Sequence, residues 1–388
     1  MNKITYRFND ILKILFIIIM LVLVLFSSSS CCGLLKDYYN SIEDNQENDV
    51  FEELLNEAYN TTEDIKENNT GREYSDIKEE LSDTTGYYIS PEEEEKFYEN
   101  FKKNYDGKEP EKVIDSIKNL KKLYPKGFFI VIKTAPLDNF SFLNIIFSGM
   151  SADMESDNLL ESDIFNDKPT LLNMLVHEYT HLGCLYRNIF NINEEGYFYT
   201  IGNFGVFIKK DKELFEKTEL YQDMSNPDDT DLLYLSPGPG KSGIDFMVIL
   251  DEINAYTRST ETVIALEEMV PESSYSDTRH GLLKQMSYLE LYLKKAYEEH
   301  PRDWEYIISN KGLSFLIMKL WQEASRFEQA IKDDHRFSFN GDPVAEFVYN
   351  NENFSIIEKL FNNSGVIKYE EKDFDEVSFD ELIVYEIK

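Results

Sequence analysis

Cysteine, positive charge and histidine are all scarce in this chain, and each shortage removes a class of protein. There are 3 cysteines in 388 residues, and Cys31 and Cys32 sit side by side near the N-terminus. Cys184 is left alone further along, so no disulfide framework can form and the fold must be held by packing. Only 39 Lys and Arg stand against 73 Asp and Glu, a net charge of −34. Phosphates are repelled by such a surface, which argues against nucleic acid and against an anionic membrane as charge-held partners. Histidine occurs 5 times, so any two at metal-binding spacing deserve a physical explanation. The N-terminus carries an apolar run, "ILFIIIMLVLVLF" from Ile14 to Phe26, and its 13 residues fall short of the ~20 that a bilayer span needs.

That run is preceded by Lys3, Arg7 and Lys13 and followed by "SSSSCCG". A positive n-region, an apolar h-region and small residues are the parts of a secretory signal peptide, here residues 1–30. Cysteine directly after small residues resembles a bacterial lipobox, which implies lipidation at Cys31, with Cys32 as the alternative and Ser28 as a departure from the usual pattern. An uncleaved N-terminal anchor is the competing reading. Both place the remainder in the cell envelope, outside the cytoplasm and tethered to a membrane.

Residues 31–85 are dominated by Glu, Asp, Asn, Thr and Ser and read as a polar, disordered spacer with a short helix at Val50–Ala58. Folded sequence is expected over 86–388, as an N-terminal lobe (86–185) and a mainly helical C-terminal lobe (186–388). Ser90-Pro91-Glu92-Glu93 has the order of a helix start, with an N-cap, a proline and then acids. A second helix follows from Pro110, and Gly127 is expected to stop it. "FFIVIKT" (Phe128–Thr134) and "FLNIIFSG" (Phe142–Gly149) read as strands, and "GYFYTIGNFGVFIKK" as a hairpin turning near Gly202–Gly205. A helix opens at Pro169-Thr170, another runs over Ser242–Met269, and the remainder is largely helical. The class is α+β.

"LSPGPGKSG" before a helix invites comparison with a phosphate-binding loop. That motif needs glycine where Leu235 stands, and Pro237 and Pro239 remove backbone donors, so nucleotide binding is excluded.

The chemistry concentrates in "LVHEYTHLG", Leu175 to Gly183, which holds H-E-x-x-H. On a helix, residues four apart share a face, so His177 and His181 can bind one ion. Glu178 lies ~100° around from His177 and can reach a water on that ion without being a ligand. Such a Glu takes the water's proton and later delivers it to a leaving amine. Leu171, Leu172, Leu175, Leu182 and Leu185 give the helix an apolar surface, so the histidines face a core or cleft. Two histidines and a glutamate there would cost several kcal/mol in desolvation without a ligand.

A catalytic zinc takes three protein ligands. The metzincin extension would need glycine and histidine where Cys184 and Arg187 stand, which excludes it. "VILDEINAYTRS" offers Glu252 in a stripe with Val248, Ala255 and Ser259; Glu194, Glu195 and Asp251 are the reserves. His177-Glu178-x-x-His181 followed, 71 residues past the second histidine, by Glu252-Ile253-Asn254-Ala255 resembles the gluzincin group of zincin metallopeptidases. The resemblance implies one zinc per chain on His177, His181 and Glu252, with Glu178 as general base. It also implies a zincin-like fold and a peptide or protein substrate pairing with "FLNIIFSG" as cleft edge. An Asp or Asn usually follows that Ala; here it is Tyr256, and Asp251 can take over orienting a histidine. Tyr256 and His280 are the candidates for stabilising the oxyanion. The alternative function is a surface lipoprotein of the same fold that binds a partner without catalysis.

Overall fold

A computed structural model of the chain describes residues 74–105, 110–141, 143, 168–190, 196–237, 243–270, 278–337, 341–366, 372–373, 376–379 and 382–386. The signal-peptide and lipidation expectations, Cys31 and Cys32 included, lie outside these residues. So do Val50–Ala58, Glu194 and Glu195.

Helix α1 (Tyr74–Leu81) falls within the stretch read as spacer, so folded structure begins earlier than residue 86. Its sequence is polar, but Ile77 and Leu81 are four apart and both are buried. Arg326 holds it through Glu80 at 2.8 Å, and Lys78 reaches Glu267 at 3.3 Å. Helix α2 (Pro91–Asn104) starts as its sequence dictates, with the Ser90 hydroxyl accepting from the Glu93 N–H at 3.2 Å. Helix α3 (Pro110–Leu123) buries Val113, Ile114, Ile117 and Leu120.

The first expected strand is a helix. Phe128–Thr134 belongs to α4 (Pro125–Thr134), which restarts after a break at Tyr124 with proline in its first turn. Phe128 through Ile132 are all buried, so the run is apolar on every side and carries no period. A continuous apolar run reads the same as a buried strand or a buried helix. Gly127 does not end a helix but sits inside α4, where a Cβ would come within 2.3 Å of the Tyr124 ring. The second expected strand, apart from Leu143, lies outside the described residues.

Helix α5 (Lys168–Phe190) carries the H-E-x-x-H motif, and the expected lobe boundary at 185/186 falls inside it. The hairpin follows as β1 (Gly196–Ile201) and β2 (Phe204–Lys209), with Ile201 paired to Phe204 across a Gly202–Asn203 turn. Gly202 has φ +61°, the left-handed conformation that favours glycine. A third strand, β3 (Leu382–Glu386), pairs antiparallel with β2, Val206 opposite Val384. Among the described residues the sheet has the order β1-β2-β3.

Two compact units divide the chain, and one of them contains Glu216–Ile244. That segment carries α6 (Thr218–Asp223) and α7 (Asp229–Tyr234), and its ends are joined by the Lys217 N–H to Ile244 carbonyl bond, 2.9 Å. The other unit is Asn68–Phe215 with Asp245–Lys388. Its centre is α8 (Phe246–Ala265), N-capped by Asp245 and buried on nearly all sides. Around it pack α5, α9 (Thr278–Glu298) and α11 (Lys311–Ile331), while α5 also packs on α4 and β1. Helices α10 (Pro301–Ser309), α12 (Asp342–Tyr349) and α13 (Asn351–Ser364) complete the helical part. Helices around one small antiparallel sheet make the class α+β. Among the described residues no helix is long and apolar enough to cross a membrane.

Candidate metal centre

Helix α5 lies with one side in the core. Leu171, Leu172, Leu175, Val176, Tyr179 and Thr180 are buried, whereas Asn173, Met174, His177, Glu178 and His181 keep partial exposure. Both motif histidines thus lie on the accessible stripe, a turn apart. Their Nε2 atoms are 3.2 Å from each other, and His181 Nε2 is 3.3 Å from Glu252 Oε2. One ligand atom from each of His177, His181 and Glu252 lies within 4.8 Å of the other two. Tetrahedral zinc with ligands at 2.0–2.1 Å sets neighbouring ligand atoms about 3.3 Å apart, so two of the three spacings are those of a zinc site.

The donors also fit a cation chemically. Glu252 is 8% exposed, and its Oε2 has no hydrogen-bond partner among the described residues. With both Nε2 atoms deprotonated, the two imidazole nitrogens and this carboxylate oxygen turn three lone pairs toward one another, a set that a proton on His181 or a metal cation can satisfy.

Each histidine is fixed from behind by the same helix. Asp251 Oδ2 is 2.8 Å from His181 Nδ1, which places the proton on Nδ1 and leaves Nε2 free to ligate. The His177 ring is hydrogen-bonded to the backbone of Ala255. Asp251 thus orients the His181 ring and is not among the three residues whose ligand atoms are gathered together.

Charges follow this arrangement. Burial, with the neighbouring His181, pushes His177 well below the ordinary imidazole range, against the pull of the Ala255 backbone. Burial also opposes protonation of His181, but Glu252 and Asp251 outweigh it and raise its pKa well above the ordinary value. Glu178 is pushed up to about 7 by burial, with His181 opposing and the Glu252 and Asp251 carboxylates adding. A divalent cation between the ligands favours the deprotonated form of each of these groups.

Of the two oxyanion candidates, Tyr256 reaches the centre. It stands one turn past Glu252, its ring edge-on to His177 at 4.6 Å. Gly281 of α9 makes room for it, since a Cβ there would come 2.2 Å from the Tyr256 ring. His280 is half-buried in the first turn of α9 beside that contact, and it is not among the three residues gathered at the metal point. Cys184 is buried and accepts the Thr200 N–H at 3.2 Å; burial and Asp251 raise its pKa, so it stays a thiol.

Sequence reasoning missed the polar pair one turn before His177. The Ser259 hydroxyl donates to Asn173 Oδ1 at 2.6 Å, and Asn173 Nδ2 donates to Thr278 at 3.2 Å. The spacing 173, 177, 181 was the available signal. Comparison with known protein families, curated proteins and solved structures gave no match to this chain.

Proposed function

We propose that the protein is a zinc-dependent metallopeptidase of zincin-like type, lipid-anchored on the extracytoplasmic side of a membrane through Cys31 or Cys32. The observation that carries this reading is the 3.2 and 3.3 Å spacing of the His177, His181 and Glu252 donor atoms, with Glu178 on the same accessible stripe. His177, His181 and Glu252 hold the ion. Asp251 and the Ala255 backbone keep the two rings turned toward it. Bound zinc supplies an acidified water and polarises the scissile carbonyl. Glu178 takes the proton released as that carbonyl is attacked and passes it to the departing amine. Tyr256, whose ring lies against His177, is the candidate hydrogen-bond donor to the developing oxyanion.

Glu178→Gln tests this. The variant is expected to carry as much zinc as the wild type and to lose at least ~10²-fold in cleavage of a quenched peptide library, the usual cost of removing a general base. Equal cleavage by both proteins would remove Glu178 from the mechanism. No cleavage by zinc-loaded wild type would leave a binding lipoprotein as the better reading.

A further inference from the structure

The accessible stripe of α5 extends beyond the ligands. Asn173, His177 and His181 form one row, each step rising about 6 Å along the helix axis. Facing it is a row from α8, and the two meet in three layers. His181 meets Glu252 at 3.3 Å, the His177 ring meets Tyr256 at 4.6 Å, and Asn173 meets Ser259 at 2.6 Å. Thr278, the first residue of α9, closes the third layer by accepting from Asn173 Nδ2 at 3.2 Å.

These two bonds fix which way the Asn173 amide points. Its oxygen is turned to Ser259 and one N–H to Thr278. The second hydrogen on Nδ2 and the second lone pair on Oδ1 have no partner among the described residues. A half-buried amide pinned in this manner offers one further donor and one further acceptor, the two kinds of group that an extended peptide backbone presents in return.

We propose that Asn173 is a substrate-binding residue that pairs with the backbone of an extended peptide lying along α5. One helical step of about 6 Å corresponds to roughly two residues of extended chain at ~3.3 Å each, so the contact falls about two residues from the scissile bond. Ser259 and Thr278 are the positioning residues that hold the amide. The inference rests on the metallopeptidase reading and adds where the substrate lies.

The test uses the full chain loaded with zinc and two kinds of hydroxamate. Acetohydroxamate reaches only the metal, whereas hydroxamates extended by a dipeptide on the amino or the carboxyl side also reach along α5. Asn173→Ala is expected to weaken one of the extended compounds about tenfold, as loss of a hydrogen bond to a fixed amide does, and to leave acetohydroxamate binding and zinc affinity unchanged. If Asn173→Ala does not fold, Ser259→Ala leaves the amide in place but unpinned, and a smaller loss of the same kind is expected. An unchanged ratio of extended to short hydroxamate in the folded variant overturns the inference. A wild-type protein that binds neither zinc nor any hydroxamate overturns the metallopeptidase reading beneath it.

Discussion

Helix α8 carries two buried polar centres less than two turns apart, and they are built on opposite principles. Around Arg258 and Glu261 the charges balance among themselves. Arg258 Nη1 donates to both Glu261 oxygens at 2.8 Å, Lys126 donates to Glu261 at 2.8 Å, Arg258 also pairs with Glu323, and the Tyr124 hydroxyl donates to Glu261. Two cations meet two anions, and Arg258 and Glu261 are fully buried. Around Glu252 the same helix gathers acids and imidazoles, with no Lys or Arg among the residues at that point. The first centre ties α4, α8 and α11 together with charges the chain supplies. On the proposed metallopeptidase reading, the second is the one that a cation completes. Burial and charge alone therefore do not mark a functional site; what marks it is a set of donors of one kind aimed at one point.

The largest expected effect lies in the balanced centre. Arg258→Met leaves Glu261 and Glu323 short of their main cation, and breaking one side of a buried ion pair costs about 3–5 kcal/mol. Urea unfolding of the metal-free protein should show that loss, while zinc bound per folded chain stays unchanged. A variant of wild-type stability that binds no zinc would erase the distinction between the two centres.

A third buried acid belongs to neither. Glu290 of α9 is 1% exposed, neither carboxyl oxygen has a partner among the described residues, and burial pushes its pKa up to about 9. The folded state then keeps a proton that the unfolded chain releases near the ordinary glutamate value, so stability falls as pH rises from about 4.5 to about 9 and levels off above. On this basis the protein loses on the order of 3 kcal/mol between pH 4.5 and 7 through this one group. Glu290→Gln should flatten that part of the profile, as read by denaturant unfolding at a series of pH values. An identical slope in the variant would mean that Glu290 is ionised in the folded protein.

The candidate site was legible because the chemistry proposed for it needs particular residue types at a fixed local spacing. His177, Glu178 and His181 occupy one helical turn, and Glu252 was marked by an apolar context that an ordinary surface glutamate lacks. The start at Ser90-Pro91 and the Gly202 turn were legible for the same reason, since both are settled by a few adjacent residues. The fold around them was less so. α4 looked like a strand because its run is buried on every side, and its surroundings come from α3 and α5 rather than from its own sequence. Strand β3 pairs with β2 across a long sequence separation, so its β-rich run Leu382–Tyr385 does not by itself point to its partner. The Arg258 network draws on Tyr124, Lys126, Glu261 and Glu323, ordinary residues until the helices bring them together. Asn173 lay between: its place in the row 173, 177, 181 was visible, but its partners Ser259 and Thr278 were not.

A zinc ion between His177, His181 and Glu252 is central to the proposed function, and the metal content of the full chain purified without chelator tests it most directly. One zinc per chain in the wild type, lost in Glu252→Gln while the variant stays folded, is the predicted result. A folded wild-type protein without zinc, or a Glu252→Gln variant that holds zinc as tightly as the wild type, would contradict it.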